Sequence, residues 1–535
     1  MTELTATGRN EAESEPGQIV GIDLGTSYSS LAFLDDDGQP RVVENSSGSQ
    51  VTASVVVLAE GGRVLVDPSQ EVLAGSVSDE RVLAIKREMG NPRFALRHGN
   101  RRLTPELISS MILTHLKRDA EKQLGPIRRV VITVPYYFNE LCRRATRNAG
   151  QIAGLDVVDI INEPTAATLT YAWIKGDLGG GADVGPQKIL VYDLGGGTFD
   201  VTVVEFTATH FRVLATDGDT LLGGIDWTDR LVDVVAEQVL LEGGTDPREV
   251  PQVRFGLSQL CEQAKRELSE RLVTSVSFDH DDRRYEIDVT RSSFEQRSAD
   301  LLQRTRDTTE LVLEQVGVSG TDLDDIVLIG GSTAMPGVRE MLKGISGQMP
   351  SSEVDPQLAV AQGAAIHAAI FEARQDGVEG HRGQILVERL RSISTTNVNS
   401  HSLGVELTDR DDPSRRWNHI MIPRNTPIPC QVTQRFVTNV DNPRAVYIRL
   451  LEGEVTEIEA CTRIGDFRVV DLPADLPAGS PIEVQYGYDQ SGHIRVSARE
   501  LVGDTEASLE IHWSDGVDVD ALEGLRELAR QYTVE

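Results

Sequence analysis

Apolar and polar positions follow different patterns in two parts of the chain. From residue 18 to about residue 371, apolar runs rich in β-branched residues alternate with helical segments, which is typical of α/β architecture. From about residue 402, short alternating runs such as 445–451 and 482–488 are separated by turn residues. This second pattern predicts an all-β domain.

One helix stands out in the first part, over residues 105–124. Thr104 can cap its beginning, and Pro105 suits its first position. Its apolar stripe consists of Leu107, Ile108, Met111 and Leu116. The stripe predicts one buried face.

Changes in composition mark the expected boundaries. The segment 175–187 holds five glycines and is interpreted as a mobile loop. A polar, irregular stretch with one apolar run at 385–390 is interpreted as a linker. The domains that we predict are 1–17 for a disordered tail, 18–371 for the α/β domain, 372–400 for the linker, 401–513 for the β domain and 514–535 for a short C-terminal helix.

The charge of the chain excludes some classes of partner. Its formal net charge is −31 and its pI is about 4.7, so nucleic acid and anionic membranes would both repel it. Residues 1–17 lack the apolar core of a signal peptide, and no apolar run approaches the roughly 18 residues of a membrane span. The four cysteines show no metal-binding spacing. We therefore expect a soluble cytoplasmic protein without nucleic-acid or membrane partners.

Two segments share one plan of strand, aspartate, glycine turn, hydroxyl residue and second strand. They are 19–28 (IVGIDLGTSY) and 189–200 (ILVYDLGGGTFD). A glycine turn between strands lets backbone N–H groups approach phosphate oxygens. Asp23 and Asp193 would repel phosphate, so they make sense only with a divalent cation between them and it. A single copy could be an ordinary hairpin, but the repetition argues against that interpretation.

Two weaker signals are compatible with a nucleoside site. In 325–333 (DIVLIGGST) a strand runs into a double glycine, against which a flat group could lie, and a helix is expected to open near Pro336. Such turns occur in many α/β proteins. In 257–269, an apolar stripe faces away from Glu262, Lys265, Arg266 and Ser269. From the residues alone, that polar stripe is interpreted as a solvated helix face.

Several longer motifs resemble the heat shock protein 70 (DnaK-type) family of chaperones. They are 131–139 (VITVPYYFN), 161–167 (INEPTAA), 217–224 (DGDTLLGG) and 422–429 (IPRNTPIP). The resemblance covers roughly residues 18–513. It implies an actin-like, duplicated ribonuclease H-like ATPase domain followed by a β-sandwich that binds extended, hydrophobic segments of unfolded polypeptides.

The resemblance also implies roles for individual residues. The implied catalytic residues are Lys86, Glu163, Asp193 and Thr198. The implied nucleotide contacts are Gly25, Thr26, Ser27, Tyr28, Gly195, Gly196, Gly197, Thr198, Gly223, Gly224, Glu262, Lys265, Arg266, Ser269, Gly330, Gly331 and Ser332. Asp23, Asp193 and Asp200 would hold Mg²⁺, mostly through water, with K⁺ beside it. Pro135 and Arg143 would relay the nucleotide state. Leu403, Val405, Phe436 and Val437 would line the peptide site, although they could equally be sandwich core. ATP and ADP are the implied nucleotides, and a J-domain co-chaperone and a nucleotide exchange factor are the implied partners.

The sequence departs from the family pattern at three places. Ala334 stands where relatives carry an arginine that stacks on adenine, so altered base discrimination is expected. A polar stretch, 392–398 (SISTTNV), stands where relatives have a leucine run, so we expect little docking of this stretch, although the apolar run at 385–390 could substitute for it. Residues 514–535 are too few for a helical lid, which predicts fast peptide exchange.

Two other functions stay open on the sequence alone. A nucleotide-gated scaffold would bind ATP with slow or no hydrolysis, and the altered linker favours it. Lys86, Glu163 and Thr198 oppose it, because a pure binder does not need all three. A sugar kinase or an actin-like filament protein on the same fold is opposed by the motifs of the chaperone family.

Overall fold

In the computed structural model, the described residues are 18–68, 80–178, 185–375, 383–489, 494–511 and 519–535. The predicted tail at 1–17 lies outside them, as do parts of the predicted loop, the linker and the segment that precedes the last helix. Among the described residues, no helix has the length and apolar character needed to cross a bilayer.

The first lobe is built on a mixed sheet. Its strands are β1 (Gln18–Asp23), β2 (Tyr28–Leu34), β3 (Pro40–Val42), β4 (Thr52–Ala53), β5 (Val56–Leu58), β6 (Arg63–Val66), β7 (Glu80–Val82), β8 (Leu96–His98), β9 (Arg101–Leu103), β10 (Ile127–Val134) and β11 (Asp156–Asn162). The main sheet has the order β11-β10-β1-β2-β3, with β1 and β10 parallel and β1 and β2 antiparallel. β5, β6 and β7 form a smaller sheet beside it.

The helices of the first lobe are α1 (Pro105–Leu124), α2 (Glu140–Ile152) and α3 (Glu163–Ile174). The prediction for α1 is confirmed: the Thr104 side chain accepts a hydrogen bond from the N–H of Leu107, and the whole predicted stripe is buried. Burial of that stripe ties α1 to the same apolar cluster as β1, β2 and β10.

The second lobe repeats the plan of the first. Its strands are β12 (Gln187–Leu194), β13 (Phe199–Phe206), β14 (His210–Asp219), β15 (Val273–His280), β16 (Arg283–Thr290) and β17 (Asp325–Ile329). Its helices are α4 (Gly224–Leu241), α5 (Pro251–Glu270), α6 (Arg291–Arg297), α7 (Ala299–Val316) and α8 (Pro336–Ser346). The main sheet has the order β17-β12-β13-β14, and β15 pairs with β16. Helix α9 (Ala359–Arg374) is buried in the cluster shared by the two lobes.

The expected irregular linker contains regular structure, so that expectation is wrong where the segment is described. Helix α10 (Gln384–Ser392) is followed by β18 (Ser394–Thr396), which adds to the second-lobe sheet parallel to β14. The predicted lack of docking is also wrong. Backbone hydrogen bonds hold this strand, and Leu390, Ile393 and Val398 around it are buried in the cluster shared by the two lobes. The backbone N–H of Ser394 donates to the Thr209 carbonyl at 2.8 Å.

The C-terminal part is a sandwich of two antiparallel sheets. Its strands are β19 (Leu403–Thr408), β20 (Arg416–Ile422), β21 (Cys430–Val437), β22 (Val446–Glu452), β23 (Thr462–Val469), β24 (Pro481–Tyr488), β25 (Ile494–Glu500) and β26 (Thr505–Ile511). The sheets have the orders β20-β19-β22-β23 and β21-β24-β25-β26. The two predicted runs, 445–451 and 482–488, correspond to β22 and β24, which confirms the all-β prediction.

Helix α11 (Val519–Ala529) and strand β27 (Thr533–Val534) follow the sandwich. The helix was predicted from the sequence. Its position was not: both elements lie on the first lobe, and β27 pairs in parallel with β6.

Candidate functional site

The glycine turns of the two predicted hairpins face each other across a cleft between the lobes. The cleft has a volume of about 360 Å³. Its lining includes the following predicted residues: Asp23, Gly25, Thr26, Ser27, Tyr28, Lys86, Glu163, Asp193, Gly195, Gly196, Thr198, Gly224, Glu262, Lys265, Arg266, Ser269, Gly330, Gly331 and Ser332. Segments far apart in the sequence thus meet at one place.

The two turns approach so closely that side chains would collide. A Cβ atom on Gly196 would lie 2.0 Å from Oγ of Ser27. Such a distance is far below van der Waals contact, so only glycine permits this meeting of the hairpins. Gly25, Gly195 and Gly196 therefore line the cleft without Cβ atoms, and glycine turns of this kind can bind phosphate.

A buried ion pair lies in the cleft. Nζ of Lys86 and Oε1 of Glu163 are 2.5 Å apart, and the two residues are only 5% and 6% exposed. Burial alone would lower the pKa of Lys86, but the charges of Glu163 and Asp23 outweigh it, so that pKa is raised. Lys86 therefore keeps its positive charge although its side chain is buried.

Several buried carboxylates surround the single positive charge of Lys86. Burial raises the pKa of Asp23 to about 7, and repulsion from Glu163 adds to the effect. Burial, with further repulsion from Glu163, also raises the pKa of Asp193 well above its usual value. Oδ2 of Asp193 is buried without a hydrogen-bond partner. Buried anions of this kind call for a cation, which makes the site chemically suited to a metal ion.

The carboxylates do not form a complete metal site by themselves. Within the described ranges, no three His, Cys, Asp or Glu side chains converge closely enough to hold an ion.

The polar stripe of α5 points into the cleft, so its interpretation as a solvated face is wrong. Lys265 is 6% exposed, and its Nζ donates to the Gly224 carbonyl at 2.7 Å and lies 2.6 Å from Oε2 of Glu262. Arg266 reaches across to the first lobe, where its Nη2 donates to the Tyr28 hydroxyl at 2.7 Å. The apolar stripe of the same helix packs into the second-lobe core.

The third glycine motif forms the opposite wall. Gly330 has a φ of 81°, which favours glycine, and a Cβ there would meet the Leu194 carbonyl at 2.3 Å. Oγ of Ser332 donates to the Gly195 carbonyl at 3.0 Å. Ala334 is exposed at the edge of this wall and lines the cleft.

Three predicted residues, Gly197, Gly223 and Asp200, are not among those that line the cleft. Gly197 packs against Thr26, and Gly223 packs against the backbone of Gly196 and Gly197. The carboxylate of Asp200 accepts hydrogen bonds from the backbone N–H groups of Tyr136 and Tyr137, and burial, with repulsion from Glu163, raises its pKa well above the usual value. These residues support the hairpins from behind.

The predicted relay residues lie behind the cleft, next to Asp200. Pro135 immediately precedes the two tyrosines whose N–H groups Asp200 holds. Arg143 donates from Nε to the Phe138 carbonyl and from Nη2 to the Tyr136 carbonyl, each at 3.0 Å. Together these contacts fix the backbone of residues 136–138.

Several contacts at the site were missed by sequence reasoning. Arg87 donates from Nε to the Gly197 carbonyl at 2.7 Å and pairs with Asp226, so it holds the second hairpin from the first lobe. Thr133 donates to Asp23 at 2.9 Å. Gln357 also lines the cleft. Arg87 was adjacent to a predicted residue, but its partner cannot be found without the fold.

An apolar groove of about 210 Å³ crosses the sandwich. Val405, Phe436 and Val437 line it, and Leu403 does not. Leu403 and Val405 are each 2% exposed and belong to the sandwich core, which is the alternative that the sequence left open for both. Peptide binding by these residues stays a prediction. Val437, Val440 and Tyr447 are each more than half exposed along the groove. Exposed apolar residues gathered at one groove are typical of a binding surface.

A two-lobed phosphate-binding cleft joined to a sandwich with an apolar groove defines the class of ATP-driven chaperones. The family model described as Hsp70 protein matches residues 19–95 and 91–535. Chaperone protein DnaK of Thermotoga petrophila is 38% identical over 526 residues, which cover 96% of this chain and 83% of the relative. Chaperone protein DnaK of Halobacterium salinarum is 36% identical over 526 residues, covering 97% and 78%.

The chain belongs to the Hsp70 family. It has the Hsp70 fold, with an α/β nucleotide-binding domain followed by antiparallel sheets that bind substrate. It is a chaperone that binds and hydrolyses ATP and binds unfolded polypeptides. The family thus favours the ATPase over the scaffold, the sugar kinase and the filament protein.

Proposed function

We propose that Lys86 is the residue that stabilises the transferring γ-phosphoryl group. The supporting observation is the buried Lys86–Glu163 ion pair in the cleft formed by the two glycine turns. Negative charge spreads over the phosphoryl oxygens in the transition state. A fixed, buried ammonium group stabilises that charge strongly. Glu163 holds the lysine and accepts a hydrogen bond from the attacking water. Thr198 donates its hydroxyl to a phosphate oxygen.

We also propose that Asp23 and Asp193 hold a hydrated Mg²⁺, with K⁺ ions beside it. The unpartnered Oδ2 of Asp193 and the excess of buried carboxylates support this assignment. When bound, the metal supplies positive charge to the phosphate oxygens. Phosphate oxygens and waters complete its ligand set, because Mg²⁺ keeps several waters in such sites. Asp200 acts indirectly, through the backbone that it holds.

The nucleoside is assigned to the space between α5 and the Gly330–Gly331 turn. Lys265 and Glu262 hydrogen-bond with the ribose, and the guanidinium of Arg266 stacks on the base from one side. Support comes from the inward direction of all three side chains. Ala334 leaves the opposite side of the base without a stacking group.

The nucleotide state reaches the sandwich through a short series of hydrogen bonds made by the side chains of Asp200 and Tyr136. Asp200 follows the second glycine turn and accepts from the Tyr136 N–H at 3.0 Å. The Tyr136 hydroxyl donates to the Val398 carbonyl at 2.9 Å and accepts from the Val398 N–H at 3.0 Å. A shift of the phosphate turn therefore moves the linker. Pro135 and Arg143 hold the backbone of Tyr136, so that the shift is transmitted through its side chain.

The groove between β19, β21 and β22 binds the extended polypeptide. Backbone hydrogen bonds and apolar pockets supply affinity in this mode of recognition. The exposed Val437, Val440 and Tyr447 support the assignment. A J-domain co-chaperone and a nucleotide exchange factor are proposed as partners by family resemblance. The domain boundaries and the cytoplasmic location stay predictions.

Single-turnover ATP hydrolysis by the Lys86→Ala variant tests the assignment. We expect the rate to fall by about 10²–10³, the loss seen when one electrostatic contact to a transition state is removed. ATP affinity should change little. Lys343→Ala is the matched control, since Lys343 is an exposed lysine outside the cleft. An unchanged rate for Lys86→Ala would reject the role of the lysine.

A further inference from the structure

Residues 519–535, which we call the tether segment, are part of the first lobe although they follow the sandwich in sequence. Leu522, Leu525, Leu528 and Ala529 of α11 form one stripe and pack on the first-lobe core. Nε of Arg526 donates to the Gln151 carbonyl at the end of α2, at 3.1 Å. Helix α11 is thus amphipathic and packs on the surface of α1 and α2.

Tyr532 anchors the segment. It is 6% exposed and belongs to the same buried cluster as β1, β10 and α1. The Arg101 guanidinium lies 5.1 Å from the centre of its ring, and its hydroxyl lies 3.4 Å from Nδ1 of His98. A large aromatic residue buried in this way contributes much of the energy of an interface.

The last residues extend a sheet of the first lobe. β27 pairs with β6, giving the order β27-β6-β5-β7. The N–H of Glu535 donates to the Val64 carbonyl at 2.8 Å, and Nη1 of Arg118 donates to the Val534 carbonyl at 2.6 Å. The side chain of Glu535 pairs with Arg63. Backbone pairing, a buried aromatic ring and ion pairs together describe a specific binding site for this segment.

The sandwich is consequently attached at both of its ends, and to different lobes. At its beginning, β18 pairs with β14 of the second lobe. At its end, the tether segment binds α1, α2 and β6 of the first lobe. With both attachments in place, the sandwich can move from the nucleotide-binding domain only as far as the two connecting segments allow.

We propose that the tether segment holds the sandwich on the nucleotide-binding domain whatever nucleotide is bound. Residues 397–402 already join the sandwich covalently to the second lobe, and the tether segment adds a second attachment that further raises the effective concentration for re-docking. Weak contacts between the domains then suffice to keep them together. The β18 attachment can open and close locally while the sandwich stays nearby. The inference goes beyond the proposed function, because it concerns domain separation and does not need ATP hydrolysis.

A cut of the folded protein tests the proposal. A recognition sequence for a site-specific protease is placed between residues 511 and 519, and the same preparation is measured before and after cleavage. Small-angle X-ray scattering reports the maximum dimension without nucleotide, with ADP and with ATP. We expect the uncut protein to keep one compact size in all three conditions. The cut protein should expand in at least one of them.

Two results would overturn the tether. Expansion of the uncut protein to the same extent as the cut protein would show that the segment permits separation. A cut protein that stays compact in every condition would show that other contacts hold the sandwich. Because folding precedes the cut, neither result can be ascribed to misfolding, and a failed ATPase assignment does not affect the readout.

Point variants give an independent measurement. Tyr532→Ala should release the segment and reproduce the expansion of the cut protein, whereas Tyr532→Phe keeps the ring and should remain compact. Arg530→Ala is the matched control, because this side chain is 73% exposed and its nearest carboxylate lies within the same segment. Equal behaviour of Tyr532→Ala and Arg530→Ala would contradict the proposal.

Discussion

At the scale of the residue, the cleft is defined as much by small side chains as by charged ones. Gly196 leaves room for Ser27, and Gly330 leaves room for the Leu194 carbonyl. The backbone of these turns therefore lines the proposed phosphate and nucleoside parts of the cleft. Lys86 and Lys265 are buried in the same cleft but differ electrostatically. The pKa of Lys86 is raised by its carboxylate neighbours, whereas burial lowers the pKa of Lys265. The two lysines are therefore suited to the different roles proposed for them, Lys86 at the phosphoryl group and Lys265 at the ribose.

Ala334 supplies a prediction of gained affinity. Ala334→Arg should place a guanidinium against the face of the base opposite Arg266, because Ala334 is exposed and lines the cleft. One cation–π contact is worth about 0.5–2 kcal/mol, so the dissociation constant of ATP should fall about 2- to 30-fold. Isothermal titration calorimetry measures it. Ala334→Met, which adds length without charge, is the control and should gain less.

At the scale of the element, β18 shows that a polar linker can dock. Its residues lack the apolar side chains that the sequence-based expectation required, yet the strand completes the edge of the second-lobe sheet. The hydroxyl of Ser394 also bonds to Nδ1 of His210 at 2.8 Å. Docking therefore combines backbone pairing with this side-chain bond and with the buried Ile393 and Val398 on either side of the strand.

A proline in β18 should break this attachment. Ser394→Pro removes the N–H that donates to Thr209, and proline cannot replace the bond. We expect the stimulation of single-turnover ATP hydrolysis by a short apolar peptide to be lost. Ser394→Ala removes only the hydroxyl and should keep most of the stimulation. If both variants respond to peptide alike, the strand does not carry the signal.

At the scale of the whole molecule, the two domains meet through motifs that are distant in sequence. Arg424, in the 422–429 motif, pairs with Asp217 of the 217–224 motif at 3.2 Å. Asn425 exchanges hydrogen bonds with the backbone of Thr216. The contact contains an unfavourable element as well: the N–H of Glu140 donates to the carboxylate of Glu452, which places two acidic side chains together.

This pair predicts a pH-dependent interface. Burial, then repulsion from Glu452, raises the pKa of Glu140 from 4.5 to about 8. The surrounding charged groups are Arg143, Arg144, Arg147, His401 and Glu454. If the separated domains restore the ordinary pKa, the docked form binds the extra proton. Docking is then favoured at low pH and weakens as pH rises from about 4.5 through about 8.

Hydrogen exchange at the Val398 amide measures docking, since that N–H is bonded to Tyr136. Protection, corrected for intrinsic exchange, should fall between about pH 4.5 and about pH 8. Glu452→Gln removes the repulsion and should reduce the fall. Glu457→Gln, at an exposed position of the same domain, is the control. A flat profile in the parent protein would refute the titration of this pair.

Local sequence patterns were enough to predict the fold class and most of the cleft. Apolar alternation, the cap of α1 and the repeated aspartate–glycine hairpins are local features, and local backbone and burial preferences are enough to specify them. The resemblance of the motifs to a known family supplied the inward direction of the α5 stripe. The residues of α5 alone favoured the opposite face.

The positions of the connecting segments are set by long-range contacts. Strand β18, the buried core position of Leu403, the hydrogen bonds that Asp200 accepts and the place of Tyr532 on the first lobe each depend on a partner far away in the chain. A short or polar segment carries too little apolar periodicity to specify that partner. The partner is determined instead by unpaired edge strands and carbonyl groups, which become available only after the domain has folded.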